Sequence, residues 1–224
     1  MKKRVFVDGA LLQAGLIFTG VLYACRDIFP QGLMLDNVLD FIGMICILKG
    51  ILMRGSSRAF KKQSSMQGGT LVTTGPYGIT RNPMYFGTFV CGLGFVLIAW
   101  PWWMVPVYIG FFYLRFNNTM VKEEKLLSEQ FGDEYKKYCA KVARFFPRGL
   151  KKLKKVKAYE IYNLDLAFRT KEARALCYLP LLAVVLEVLQ QYFVFGFIDL
   201  IEVALIFLTA FVTLFMSIAL SYQE

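Results

Sequence analysis

Two stretches of this chain carry residues able to do chemistry. The first is GPYGITRNPMYFGT, residues 75–88. Its opening Gly75-Pro76-Tyr77-Gly78 is a turn signal that lets backbone approach a ligand closely. Arg81, Asn82 and Tyr85 add a charge, an amide and a ring bearing a hydroxyl. Pro83 suits the first turn of a following helix, and Gly87 leaves room for a second backbone against it. The second stretch is EEKLLSEQFGDEYKKYCAKVARFFP, residues 123–147. Around it Met120, Leu127, Phe131, Tyr138 and Val142 recur at helical spacing, which predicts an amphipathic helix over residues 118–145. At ~100° per residue, Glu124 falls inside that apolar stripe and Glu123 on its edge. Carboxylates pointing into an apolar face need a partner or a ligand. Gly132 is placed to break or bend the helix.

What is missing narrows the chemistry. Histidine is absent, which removes the commonest general base and the commonest metal ligand. No Ser-His or Cys-His nucleophile can form. The five cysteines, Cys25, Cys46, Cys91, Cys139 and Cys177, lie at no metal-ligand spacing and read as small buried hydrophobes. No metal is expected. The bases left in the two stretches are Glu123, Glu124 or a tyrosinate.

The elements that must position these residues are membrane helices. Apolar residues make up 57% of the chain and charged residues 19%, with mean hydropathy +0.49, too apolar for an ordinary soluble domain. The net charge of +10 does not imply nucleic acid, because the basic residues sit between apolar runs and not across a soluble face. Six spans are expected, near residues 5–25, 36–53, 84–100, 104–116, 175–195 and 198–220. The first is read as a membrane helix, not a cleaved signal, since Tyr23 is too bulky for a cleavage site. Trp102 and Trp103 mark an interfacial turn between the third and fourth. Residues 54–81 are expected to be a basic loop. The amphipathic helix falls between the fourth and fifth spans. Asp40 and Lys49 read as interfacial charges, Pro180 should kink the fifth span, and Glu187 and Glu202 lie inside the last two spans, where carboxylates are functional by default. The run RGLKKLKKVK at 148–157 suits anionic headgroups, and residues 158–174 suit a juxtamembrane amphipathic segment. Of the 26 Lys and Arg, all but Arg26 and Lys49 then fall on one side. The positive-inside rule makes that side cytoplasmic, with both termini and both chemical stretches on it.

GPYGITRNPMYFGT resembles the signature of the membrane superfamily of isoprenylcysteine carboxyl methyltransferases and phospholipid N-methyltransferases. The isoprenylcysteine branch reads Gly-Pro-Tyr, then Arg-His-Pro-x-Tyr; here Asn82 stands where that histidine would be. NPMYFGT is more similar to the phospholipid branch. Glu123-Glu124 resembles the paired glutamates of these enzymes, and FGDEYKKYCAKVARFFP is similar to the isoprenylcysteine-type ending Arg-Phe-x-Pro. The resemblance covers roughly residues 68–148. It implies an all-α polytopic membrane enzyme with a methyltransferase core over 1–157. Residues 158–224 match no pattern and read as an added juxtamembrane segment and two-helix hairpin.

The same resemblance implies S-adenosylmethionine as cofactor, held between the two stretches. Gly75 backbone and Arg81 would serve its carboxylate, Glu123 and Glu124 its ammonium and ribose. Asn82 and Pro83 would shape the entry, and Tyr77, Tyr85, Tyr135 or Tyr138 would face the sulfonium with a ring. Glu124 and Tyr85 would also border the reacting atoms. Arg144, from its place in Arg-Phe-x-Pro, is the candidate to grip an anionic acceptor. The acceptor implied is lipid-like. A carboxylate arrives deprotonated, whereas an amine needs a base, so both stay open. Two alternatives also stand: a sterol-reductase-type NADPH enzyme using Arg58, Lys61 and Lys62 for the extra phosphate, and a non-catalytic membrane scaffold.

Overall fold

The computed structural model describes residues 2–29, 33–65, 69–147, 161–162, 167–168, 170 and 173–221. The fold is all-α. The described residues form six α-helices: α1 (Lys2–Ala24), α2 (Leu33–Ser64), α3 (Pro83–Ala99), α4 (Val105–Lys141), α5 (Ala173–Gln190) and α6 (Leu200–Ser221). The basic run 148–157 and most of the expected juxtamembrane segment 158–174 lie outside the described residues.

Two expected boundaries are corrected. The loop predicted from Arg54 begins later, because α2 continues to Ser64. The Gly- and Ser-rich composition does not break the helix: Ser56 and Ser57 are fully buried, and Ser57 Oγ donates back to Met53 O at 2.6 Å. A serine that bonds the preceding turn costs a helix little. The expected fourth span and amphipathic helix are one continuous element, α4. Gly132, at φ 49° and ψ −118°, bends it. That backbone region is open to glycine and strained for other residues.

Glycine also builds the central pair, α2 and α3. A Cβ on Gly50 would lie 2.5 Å from Cys91 N, and one on Gly94 would lie 2.4 Å from Gly43 O. Small residues on both helices let the backbones touch, the packing device of membrane helices. Gly87 is part of this seam, its own Cβ position 2.7 Å from Gly50 O. Helices α5 and α6 close over α2, where Met44, Ile47, Leu48 and Ile51 share a core with Ala183, Val184 and Ile206.

Of the described helices, the segment Ala173–Phe195 is long and apolar enough to cross a membrane; Gln13–Ala24, Pro83–Ala99 and Leu200–Phe215 are shorter apolar helices. Pro180 sits within α5, which continues through it. Large apolar side chains point outward, including Leu114 at 75%, Leu200 at 76% and Ile201 at 74% exposure. Such faces suit a lipid environment.

Two side-chain expectations change, those for Asp40 and for the cysteines. Asp40 is fully buried, not interfacial. Lys49 lies over the Tyr162 ring, 4.7 Å from its centroid. No cysteine is fully buried: Cys25 and Cys177 are exposed and the others half-buried, all of them free thiols.

Candidate functional site

The C-terminal half of α2, the 75–82 turn, the start of α3 and the middle of α4 enclose a cavity of about 530 Å³. That volume is ordinary for a small-molecule site. The turn is set by Gly75, at φ 56°, where a Cβ would meet the Phe60 ring at 2.7 Å. Residues 79–82 then run beside the segment that follows α4. Arg81 N donates to Ala143 O at 2.9 Å, and Thr80 Oγ1 donates to Arg144 O at 3.1 Å. The two chemical stretches are thus laced together by main chain.

Glu124 is the hub of the lacing. Its Oε1 accepts from Asn82 Nδ2 at 2.9 Å and lies 3.8 Å from an Arg81 guanidinium nitrogen. Its Oε2 lies 3.2 Å from Arg144 Nε. The Glu124 side chain is 17% exposed, which settles how a carboxylate sits in the apolar stripe: three polar groups meet it there. Glu123 is exposed on the stripe's edge and accepts from the Tyr85 hydroxyl at 2.8 Å. The Tyr85 ring packs on Phe116, centroids 5.7 Å apart.

Beyond the Gly132 bend, Tyr135 and Tyr138 turn back into the site and both are buried. Tyr138 donates to Tyr77 O at 2.7 Å. The Tyr135 hydroxyl is buried in the cavity wall, where no N–H or O–H donates to it. Burial pushes the phenols of Tyr77, Tyr135 and Tyr138 above their usual value, with Glu123 adding to it at Tyr77 and Glu124 at Tyr135. These tyrosines are neutral near pH 7, which leaves Glu123 and Glu124 as the site's bases.

Of the residues singled out from the sequence, Tyr77, Arg81, Asn82, Pro83, Tyr85, Glu123, Glu124 and Tyr135 line the cavity. Gly75, Tyr138 and Arg144 stand outside its lining and hold other parts of the site in place. Sequence reasoning missed Arg54, whose guanidinium donates to Thr88 Oγ1 at 2.6 Å. Arg54, Arg58 and Lys61 all line the cavity, from positions i, i+4 and i+7 of α2. That spacing is one face of a helix, a signal that reading the segment as loop conceals. Cys139 was also read as a buried hydrophobe; its Sγ accepts from Arg81.

The groups present fit S-adenosylmethionine. Carboxylates and guanidinium groups share one cavity, as a zwitterion requires, and three of its wall residues are tyrosines. The hydroxyl of Tyr135, which hydrogen-bonds the Cys139 side chain, offers a further polar group in the wall.

Comparison with curated proteins and with solved structures finds no significant match. A family comparison does. Residues 34–134, which hold α2, α3 and most of α4, match the family model of phospholipid methyltransferase, consistent with the methyltransferase superfamily that the two motifs resemble.

Proposed function

We propose that this chain is an integral membrane methyltransferase that moves a methyl group from S-adenosylmethionine to a lipid-like acceptor. The observation that carries the reading is the cavity where Glu123, Glu124, Arg81 and three tyrosines converge. When bound, the cofactor supplies a methyl group made electrophilic by a sulfonium. Glu123 and Glu124 would hold its ammonium and ribose hydroxyls, and Arg81 would hold its carboxylate. Tyr77, Tyr85 and Tyr135 line the wall with rings suited to a cation. Phe116, Leu126 and Leu127 give the α4 side of the cavity an apolar lining. Positioning of this kind can supply up to ~7–11 kcal/mol of a displacement barrier.

Arg144 pairs with Glu124 and lies outside the cavity lining, so in this reading it positions Glu124, while Arg54 and Arg58, which line the cavity, would meet an anionic acceptor. An amine acceptor would pass its proton to Glu123, while a carboxylate acceptor would need no base. In this reading six spans place both termini and the cavity at the cytoplasmic face, with the first part of α4 as the fourth span. Residues 1–157 form the catalytic core.

The test is S-adenosylhomocysteine binding to the detergent-solubilised protein by calorimetry. Binding that weakens at least tenfold in Glu124→Ala and Tyr85→Ala supports the site. Unchanged affinity in both variants removes it. A second reading, an NADPH-dependent reductase, is favoured by Arg58 and Lys61 in the cavity wall. NADPH binding in place of S-adenosylhomocysteine would select it.

A further inference from the structure

Arg81 carries the charge expected to meet the cofactor's carboxylate, and the fold fixes it at two points. Its backbone N donates to Ala143 O at 2.9 Å. Its guanidinium Nη1 donates to the Sγ of Cys139. Cys139 and Ala143 belong to the end of α4 and the residues just after it, beyond the Gly132 bend. The Arg81 side chain is 16% exposed, so the few groups that reach it decide where it points.

Cys139 does not line the cavity, but it bonds two residues that do, Arg81 and Tyr135. It follows Tyr135 by one helical turn, on the same face of α4, and is half-buried. A thiol sulfur is a weak acceptor. It gives a guanidinium a direction without cancelling its charge. A carboxylate in the same place would form a charge-assisted pair with Arg81, and a ligand carboxylate would have to compete with it. Glu124 does not take that part. Its Oε1 lies 3.8 Å from Arg81 Nη2, too far for a hydrogen bond, and is engaged by Asn82 Nδ2 at 2.9 Å. A guanidinium has five N–H donors, and Arg81 Nε makes no hydrogen bond among the described residues. Donors thus remain on a charged group whose orientation is already set.

We propose that Cys139 is a positioning residue for cofactor binding: its thiol holds the Arg81 guanidinium ready for the carboxylate of S-adenosylmethionine. The inference rests on the methyltransferase reading and adds to it a residue outside the cavity. An arginine loses much rotamer freedom when it is ordered. Ordering it before the ligand arrives raises affinity by removing that cost from the binding step. The gain falls on the amino-acid end of the cofactor, the end that Arg81 would meet, and not on the nucleoside.

That selectivity supplies the test. Two probes are compared by calorimetry on the full chain in detergent: S-adenosylhomocysteine, which carries the amino-acid carboxylate, and methylthioadenosine, which lacks the amino-acid end. Cys139→Ala should weaken S-adenosylhomocysteine several-fold and leave methylthioadenosine unchanged. Cys139→Ser keeps an acceptor and should recover most of the loss. Cys139→Asp should weaken S-adenosylhomocysteine more than Cys139→Ala does, because its carboxylate occupies Arg81. In an Arg81→Ala background Cys139→Ala should add no further loss, since the two act through one contact. Unchanged S-adenosylhomocysteine affinity in Cys139→Ala overturns the proposal. Equal losses for both probes do so too, because they would mean that Cys139 only supports the fold. If Cys139→Ala fails to fold, Cys139→Asp against Cys139→Ser decides in the same way: the difference must appear with S-adenosylhomocysteine and not with methylthioadenosine. A wild-type chain that binds neither probe sinks the methyltransferase reading and this proposal with it. Wild-type binding with an indifferent Cys139→Ala sinks this proposal alone.

Discussion

Asn82 and Glu124 are joined across 42 positions of chain by a single hydrogen bond, Nδ2 to Oε1, at 2.9 Å. The same amide also donates to Arg144 O at 3.0 Å. One side chain therefore ties the entry of α3 to α4 and to the segment beyond it. An amide donates in this way at every pH, whereas a histidine would have to be the right tautomer or protonated. The substitution that looks like a loss from the isoprenylcysteine pattern thus still supplies the donor that Glu124 needs.

Asn82→Ala removes a hydrogen bond to a charged group, a change of about 1.5–3 kcal/mol. S-adenosylhomocysteine affinity should fall about tenfold or more by that magnitude. Asn82→Asp should be worse, because it sets a second carboxylate against Glu124. Calorimetry on both variants checks the order, and equal losses would mean that the charge of Glu124 does not matter.

Tyr85 offers two separable contributions. Its hydroxyl bonds exposed Glu123, and its ring packs on Phe116. An exposed bond contributes little, so Tyr85→Phe should change affinity by only a few-fold. Tyr85→Ala also removes the ring from the cavity wall and should cost at least tenfold. The ratio of the two variants in one binding assay separates ring from hydroxyl.

The α2–α3 seam makes a prediction about stability. Gly50→Ala and Gly94→Ala each push a methyl into backbone at 2.5 and 2.4 Å, which no rotamer can relieve. Overpacking of this kind costs about 1–3 kcal/mol. Gly110→Ala is the control, since nothing lies within 4 Å of its Cβ position and alanine favours a helix. Thermal unfolding in detergent should fall for the first two and hold or rise for the third.

Much of this was legible in the residues. Hydropathy marked the apolar helices, and the 3.6-residue period placed Glu124 on the buried stripe of α4, where it lies. What stayed hidden depended on contacts between distant segments. The extent of α2 turned on buried serines that bond their own helix, which composition reads as loop. Arg54 therefore went unnoticed, and Arg58 and Lys61 were named only for the extra phosphate of the alternative cofactor. Asp40 looked interfacial because its neighbours in space, Glu187 and Asp36, come partly from a helix far along the chain. Arg144 shows the converse: its motif was visible, but only the fold shows that its Nε meets Glu124.

The buried phenols predict an alkaline limit to stability. Tyr77, Tyr135 and Tyr138 all ionise above their ordinary value of 10.0, chiefly because burial penalises the phenolate. Below about pH 10 they are neutral in both folded and unfolded chains and add no pH dependence. Above it the unfolded chain loses these protons first, so stability falls as pH rises toward the folded-state values. Thermal midpoints should be level from these groups up to about pH 9 and then decline. Tyr135→Phe tests the assignment, because it removes the phenol and gives up only a hydrogen bond with the weakly bonding Cys139 side chain. That variant should match wild type at neutral pH and show a shallower decline in alkali. An identical slope would show that Tyr135 ionises alike folded and unfolded, and so that its phenol is open to water.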